Sequence, residues 1–280
     1  MTIVPARNTQ AGLDVIGPGE LALIRALDAW ILTLAERVGA VERRYPFLLR
    51  TEDLDGIDYY ENFPHLGLAV SGTDPEQLTD VLSTAGRPLT SLPAHALHPA
   101  RYMLPSAACY SVYFQLRGQT VPPAGDRHTT VATCFRREEQ YEGLRRLLGF
   151  SMREIVFIGA AEGARDHLAW AKDEVIAQIS RLGLDHRVEV AADPFFDRDG
   201  SRARMQLLFP VKEEFIVDGL AIGSVNYHRN FFGDRLGIRL PDGQPVHTSC
   251  LAFGLERWAH VLTARFGGAR SAAEALVNLR

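Results

Sequence analysis

The chain has 280 residues and a net charge of −4, with 46% hydrophobic and 23% charged residues. These proportions are typical of a globular protein with one large domain or two modest ones. The net negative charge argues against a chain that binds polyanions over its whole surface. No apolar run reaches the roughly 18 residues of a membrane span, and the first residues lack the apolar core of a signal peptide.

An amphipathic helix opens the sequence after a short lead-in, residues 1–17, which ends in a Gly-Pro-Gly turn. Apolar residues recur at steps of three and four over residues 21–38, which predicts one buried helical face. Tyr45–Leu49 then predicts a strand, and Pro46 within it favours an edge or an interface.

The next segment predicts little regular structure. Residues 51–65 are polar and aromatic and predict a loop, and residues 79–85 predict a short helix. Residues 93–105 predict a second loop that carries His95 and His98. The spacing of these histidines fits no common metal-ligand pattern, so we interpret them as surface residues.

Two apolar, β-branched stretches, Thr130–Phe135 and Ile155–Ile158, predict strands joined by a loop of both charge signs. A charge run of this kind is commonly a solvated hairpin tip. The order of residues favours a binding role instead, because the loop is bracketed by Phe-Arg-x-Glu at residues 135–138 and Arg-x-x-x-Phe at residues 146–150. An arginine fork matches two phosphate oxygens at once, and a phenylalanine face can stack on a base.

The second half alternates a strong helix with further strands. Residues 162–182 predict the helix. The predicted strands are 188–194 with its turn, Met205–Pro210, Glu214–Val217, a late sheet over 224–239, and Val246–Cys250. A Gly-x-Glu-Arg sequence ending at Arg257 then begins a helix that ends near residue 266, and residues 269–280 predict another short helix.

These patterns resemble the class II aminoacyl-tRNA synthetases, with motif 1 at about residues 20–50, motif 2 at about 130–159 and motif 3 at about 250–266. The resemblance implies an α+β class II catalytic fold, a mainly antiparallel sheet flanked by helices, as a single domain over residues 18–280. Motif 1 builds the dimer interface in that family, so the resemblance also implies a homodimer.

The same resemblance implies how ATP is bound. Arg136 would hold the α-phosphate, Glu138 would read adenine, Phe150 would stack on it, Arg146 would reach the outer phosphates, and Arg257 would contact the γ-phosphate. Arg136 and Arg257 would be the catalytic residues.

Magnesium ligation is left open by the sequence. Ser224 falls where the family has a metal–ATP contact, but the glutamate expected three residues earlier is Ala221. Asn226 is a candidate to share that task and also a candidate substrate contact, and Glu213 and Glu214 are further candidates for Mg²⁺.

The amino-acid pocket departs from that of seryl-tRNA synthetases. Their Pro-Thr-Ala-Glu stretch reads Pro-Ser-Ala-Ala here, with Ser106 as a candidate substrate contact and no acid to meet the substrate amine. Atypical, zinc-dependent seryl-tRNA synthetases of methanogens hold the amine on zinc, and by resemblance the ligands here are Cys109, Glu154 and Cys250. Cys134 is a rival ligand, which we interpret as a packing residue.

The resemblance covers roughly residues 18–268 and only the catalytic domain. We therefore expect no tRNA-binding domain and do not expect tRNA to be the substrate. The resemblance is greatest to the amino acid:[carrier protein] ligases, which implies an AMP-forming ligase. Such an enzyme activates a small amino acid, such as glycine or alanine, and passes it to the phosphopantetheine thiol of a carrier protein. Three separated cysteines suit a reducing compartment, the cytoplasm.

Two alternatives remain open. One is a tRNA-charging fragment that borrows its RNA-binding part in trans. The other is a catalytically idle paralogue with a regulatory or adenylate-binding role.

Overall fold

The structure, a computed structural model, describes residues 12–197 and 199–277. Within these residues the helices are α1 (Pro18–Arg37), α2 (Thr51–Asp55), α3 (Tyr59–Asn62), α4 (Pro75–Thr84), α5 (Tyr110–Gln115), α6 (Ala161–Arg181), α7 (Ser201–Leu208), α8 (Phe231–Leu236), α9 (Leu255–Phe266) and α10 (Ala269–Val277). The strands are β1 (Val41–Glu42), β2 (Leu49–Arg50), β3 (Ala69–Val70), β4 (Tyr102–Met103), β5 (Asp126–Phe135), β6 (Gly149–Gly159), β7 (Arg187–Val190), β8 (Lys212–Val217), β9 (Leu220–Arg229) and β10 (His247–Gly254). No described helix combines the length and the apolar character that a bilayer crossing requires.

A seven-stranded sheet organises the molecule, in the order β1-β5-β6-β10-β9-β8-β7. The pairing of β1 with β5 is parallel, and every other pairing in this sheet is antiparallel. A small antiparallel sheet, β2-β4-β3, lies apart from it. The predicted mainly antiparallel architecture is therefore present.

The long helices α1, α6 and α9 cover one face of the large sheet, and the shorter α10 packs against α1 and α9. Their apolar faces and the inward residues of the strands form one buried core, in which Trp30 and Trp258 meet with ring centroids 5.7 Å apart. Local signals position α1: Pro18 occupies its first turn, and the Glu20 carboxylate accepts the Gly17 backbone N–H at 3.0 Å. Gly267, with φ of 71°, ends α9 in the left-handed conformation that glycine adopts at little cost.

Strand β6 divides its side chains between the two faces of the sheet, because successive residues of a strand point to opposite sides. Ile155 packs into the helix-side core. Met152 and Glu154 face the other side, where α3, α5, α7 and α8 and the loops beside them leave a cleft. The sequence of one strand thus supplies both the core and the floor of the cleft.

A buried arginine fastens β6 to the helix layer. Arg153 is 1% exposed, and its guanidinium donates to both carboxylate oxygens of Asp28 on α1, at 2.5 and 3.0 Å, and to Glu42 of β1 at 2.8 Å. Thr129 of β5 accepts a further bond at 3.2 Å. A buried charge is tolerated only when it is paired in this way, so the contact holds α1, β1 and β5 to the strand that carries Glu154.

His167 of α6 is a second buried polar group on the helix side. Its Nδ1 lies 3.0 Å from the Ser249 hydroxyl of β10, while Nε2 is buried without a hydrogen-bond partner. Burial, and then the charge of Arg127, lower the pKa of His167 from 6.5 to about 4. The imidazole is therefore neutral in the folded protein at pH 7.

This histidine should make the free energy of unfolding depend on pH. Its contribution is complete above pH 6.5 and falls as the pH approaches 4, because only the unfolded chain binds the proton; the loss by pH 5 is about 2 kcal/mol. Urea unfolding of the wild type and of His167→Gln at pH 7 and pH 5 measures it. His167→Gln should lose that part of the slope and the exposed His95→Gln should keep it, whereas equal slopes in all three proteins would contradict the assignment.

Several local predictions are wrong. The strand at Tyr45–Leu49 is irregular up to Leu49, since Pro46 lacks the N–H that pairing needs. The predicted loop 51–65 contains α2 and α3, whose acidic first turns are helix-start signals. Met205–Pro210 is not a strand, because Ser201–Leu208 forms α7; short apolar runs do not distinguish the two. Part of the predicted late sheet is α8.

Candidate functional site

Two adjoining cavities of about 630 and 100 Å³ lie on the cleft face of the sheet. We call them the large and the small cavity. Five residues line both of them: Arg136, Met152, Lys212, Ser224 and Ala252. The floor comes from β6, β8, β9 and β10, and the roof of the large cavity comes from residues within 57–66, 193–197 and 199–209.

All eleven predicted site residues line one or both cavities. The large cavity receives Ser106, Cys109, Glu154, Asn226 and Cys250. The small cavity receives Glu138, Arg146, Phe150 and Arg257, and Arg136 and Ser224 belong to both. Residues separated by up to about 150 positions in the chain are thus brought to one cleft.

Cys109, Glu154 and Cys250 converge at one end of the large cavity. Their ligand atoms all lie within 4.8 Å of one another, and all three residues are buried. Oε1 of Glu154 accepts the backbone N–H groups of Ala108 and Cys109, at 2.9 and 3.2 Å, which fixes the carboxylate. Oε2 is buried with no hydrogen-bond partner. A buried carboxylate oxygen without a donor is costly, so its position indicates a bound group.

The cluster fits a metal ion of zinc type. Two sulfurs and one carboxylate oxygen match the ligands of zinc, and a three-residue set leaves a fourth position open to a substrate. The hydrogen bond with Cys250, burial and the charge of Glu154 raise the pKa of Cys109 well above its usual value. For Cys250 the bond with Cys109 lowers the pKa, but burial and the charge of Glu154 outweigh it and the pKa is raised. A dication would reverse this balance by stabilising both thiolates.

Cys134 lies outside the cluster among the described residues. It pairs with Phe150 in the β5–β6 register, whereas Glu154 pairs with Thr130. Four residues along a strand amount to about 13 Å. Its thiol is fully buried, and burial raises its pKa. The position agrees with a packing residue.

Arg136, from the middle of the chain, and Arg257, near its carboxyl end, line the same small cavity. Burial, and then the charge of Arg136, lower the pKa of Arg257. The Arg257 guanidinium is held by the carbonyls of Arg145 and Ala221 at 2.9 and 3.0 Å, and Arg136 donates to the Ser106 carbonyl at 3.0 Å. Two fixed, mutually repelling cations would be stabilised by an anion between them, so we call the part of the small cavity around Arg257 the anion site.

The predicted adenine contacts already have partners within the chain. Glu138 pairs with Arg146 at 3.1 Å, and the Arg136 guanidinium lies 5.2 Å from the centre of the Phe150 ring. A base that enters the small cavity could reach these side chains, because they are partly exposed. It would then compete with their present partners.

Strand alternation decides which polar residues of the floor strands face the cleft and which face the helices. Asn226 donates to Ser224 Oγ at 3.1 Å and to Cys250 Sγ at 3.4 Å, so it links the cluster to the shared wall. Of the two acids predicted as magnesium candidates, Glu214 lines the small cavity. Glu213 pairs with Lys172 of α6 at 2.7 Å, on the helix face, and lies away from the cleft.

Two residues of the cleft were missed by sequence reasoning. Lys212 lies on the wall common to both cavities. His228 is beneath the cluster, with Nε2 3.8 Å from Cys250 Sγ and Nδ1 3.1 Å from Thr248 Oγ1. Its even-numbered spacing from Ser224 and Asn226 in one strand was a usable signal, since alternate residues share a face.

The sequence of the chain is similar to those of two named proteins over most of its length. No family model matches the chain. Amino acid–[acyl-carrier-protein] ligase 1 of Bradyrhizobium diazoefficiens is 35% identical over 246 residues, 82% of this chain and 73% of that protein. Amino acid–[acyl-carrier-protein] ligase 2 of the same organism is 35% identical over 235 residues, 77% of this chain and 67% of that protein.

The crystal structure of M. kandleri SerRS in complex with A. aeolicus tRNASec superposes with a TM-score of 0.80 at 21% identity. It matches 99% of this chain, and the chain spans 58% of that one. This likeness confirms the predicted class II synthetase fold.

Proposed function

Because the chain belongs to the amino acid–[acyl-carrier-protein] ligase family, we propose that it activates an amino acid with ATP and transfers it to a carrier protein. The acceptor is the thiol of the phosphopantetheine arm. One observation carries the proposal: the buried Cys109, Glu154 and Cys250 cluster and the anion site at Arg257 open onto a common wall that holds Arg136.

The cluster would hold the amino group of the substrate. Bound zinc would supply a Lewis acid that takes the lone pair of a free amine. Cys109, Glu154 and Cys250 would hold the ion, and Asn226, bonded to Cys250 at 3.4 Å, would orient the thiolate next to the substrate. Recognition of the amine rather than the side chain is our reason for proposing a small amino acid.

The anion site would hold the phosphates of ATP. An oxygen of the amino-acid carboxylate attacks the α-phosphorus, a new O–P bond forms, and pyrophosphate leaves. Arg136 at the shared wall and Arg257 beyond it stabilise the charge that spreads over the phosphates, which in this kind of reaction is the main contribution of the protein. The carrier thiol then attacks the aminoacyl carbonyl, and AMP leaves.

Magnesium would accompany ATP in this scheme. Ala221 removes the carboxylate that the family resemblance leads one to expect, so Ser224 and Glu214, which both line the small cavity, are the candidates to contact it. The three cysteines are free thiols, which suits a reducing compartment such as the cytoplasm.

We also propose a homodimer through motif 1. Strand β1 is an edge of the large sheet, and near it Val41 and Phe47 are 48% and 66% exposed. Exposed apolar residues beside an open strand edge are typical of an interface. Light scattering should give twice the chain mass of 31.0 kDa, and the monomer mass would contradict a dimer.

The test of the function has two stages. ATP–pyrophosphate exchange with each of the twenty amino acids should reveal one or a few substrates, and exchange with none would leave the idle paralogue. The active amino acid, radiolabelled, is then offered to a phosphopantetheinylated acyl carrier protein and to bulk tRNA. Label on the carrier alone is expected, whereas label on tRNA alone would favour the tRNA-charging alternative.

A further inference from the structure

Lysine is rare in this chain. Of its 30 Lys and Arg residues only Lys172 and Lys212 are lysines. Lys172 lies on α6, 36% exposed, and pairs with Glu213 on the helix side of the sheet. Lys212 begins β8 on the opposite face and lines both cavities. Among the described residues, Lys212 is therefore the one lysine that lines the cleft, and the other side chains with a fixed positive charge there are arginines.

Lys212 is held between two acids. Its side chain is 14% exposed, and Nζ lies 3.0 Å from Oε1 of Glu214 and 3.5 Å from Oδ1 of Asp193. Asp193 belongs to the roof of the large cavity and Glu214 to the small cavity. An ammonium has three N–H donors, and two acid partners leave one donor for a group in the cleft.

The sheet register locates Lys212 relative to the cluster. Lys212 pairs with Asn226, and Asn226 pairs with Cys250, so the three residues form one row across β8, β9 and β10. Two strand spacings amount to about 10 Å. Lys212 therefore lies on the same face of the sheet as the cluster, at the wall common to both cavities.

In the proposed reaction the substrate carboxylate and the α-phosphate of ATP meet at the wall shared by the two cavities. This follows because the amine would be held at the cluster and the outer phosphates at Arg257. Two cations line that wall, Arg136 from the end of β5 and Lys212 from the start of β8. Three strands separate β5 from β8 in the sheet order, so the two cations reach the wall from different sides.

We propose, resting on the function proposed above, that Lys212 is a catalytic residue that contacts the reacting carboxylate and the α-phosphate. As the carboxylate oxygen forms its bond to phosphorus and the bond to pyrophosphate breaks, negative charge moves from carboxylate to phosphate. The N–H donors of the ammonium follow this charge. A compact, rotatable ammonium can do so, whereas a planar guanidinium is matched to one fixed pair of oxygens.

The first test compares the two lysines. Lys212→Met should lower kcat/KM for pyrophosphate exchange by about 10²–10³-fold, the usual cost of one preorganised donor to a developing anion, while Lys172→Met stays within about twofold as a surface pair should. The melting temperature of each variant checks the fold. A folded Lys212→Met protein that exchanges like the wild type overturns the proposal.

A second measurement tests whether Lys212 contacts the ligand or only holds Glu214 and Asp193 in place. Pyridoxal 5′-phosphate with borohydride modifies accessible amines, and peptide mass spectrometry separates Lys172 from Lys212. A sulfamoyl analogue of the aminoacyl adenylate should slow labelling of Lys212 at least about tenfold, as contact with the ligand requires, and should leave Lys172 unchanged. A Lys212 that stays unlabelled in the free protein, or is labelled equally with the analogue, overturns the proposal.

The two levels of inference fail separately. A wild-type protein that exchanges pyrophosphate with no amino acid removes the proposed function and this inference with it. If the wild type exchanges pyrophosphate, then an equally active Lys212→Met protein, or a wild-type Lys212 that the analogue does not protect, removes only the inference.

Discussion

Replacing Cys109 or Cys250 by serine should reduce bound zinc from about one ion per chain to less than a tenth of that, since a hydroxyl is a far poorer zinc ligand than a thiolate. Metal analysis of the desalted protein, after incubation with Zn²⁺, measures the loss. Pyrophosphate exchange should fall with the metal content, because the amine would lose its binding group. Glu154→Gln should show the same loss, since a neutral amide replaces the carboxylate whose Oε2 lacks a partner.

Cys134→Ser is the matched control. Cys134 is as fully buried as the two cluster cysteines but lies outside the cluster. It should cost stability through a buried hydroxyl, by about 1–3 kcal/mol, and keep its zinc. Zinc retained by Cys109→Ser, or lost by Cys134→Ser, would contradict the assigned ligands.

Arg136→Ala should reduce pyrophosphate exchange by about 10²–10³-fold, because the α-phosphate loses a charged, two-pronged donor. Arg136→Lys should recover only part of the rate, since a point charge cannot make both bonds. Steady-state exchange rates at saturating ATP and amino acid measure both variants. Zinc content should be unchanged in each, which separates loss of phosphate binding from loss of the metal.

Arg137→Ala tests whether charge alone is responsible. Arg137 is the next residue in the chain, is exposed and lines neither cavity. Its removal changes the net charge by the same amount as Arg136→Ala and should leave exchange within about twofold. Equal losses in the two variants would mean that the general electrostatic field, rather than a contact at the shared wall, governs the rate.

The helices and strands that were predicted correctly are those whose sequences carry several local signals for the same structure. Helix α1 has a Pro start and a long apolar period, and α6 ends one residue before the predicted limit. Strands β5 and β6 are longer than predicted, because strand ends such as Asp126 and Gly149 are polar or small. The errors at α2, α3 and α7 fall in short segments, where tertiary packing decides between helix, strand and loop.

The floor of the site could be predicted from sequence and its roof could not. Cys109, Glu154 and Cys250 were joined by resemblance alone, since no local spacing connects residues so far apart. Their meeting depends on the β6–β10 pairing, which aligns Glu154 with Ala252 beside Cys250. Lys212 escaped attention because a single lysine at a strand start carries no motif, although its rarity in the composition was visible.

The anchoring of β6 by Arg153 has a bearing on how this enzyme could be redesigned. The floor strands are bonded on both edges and tied to the helix layer, so they offer few ways to reshape the binding space without loss of the fold. The described parts of the roof, residues 57–66, 193–197 and 199–209, are short helices and loops. Libraries that aim at a different amino acid should therefore vary the roof and leave the strands intact, since loops on a rigid scaffold tolerate substitution best.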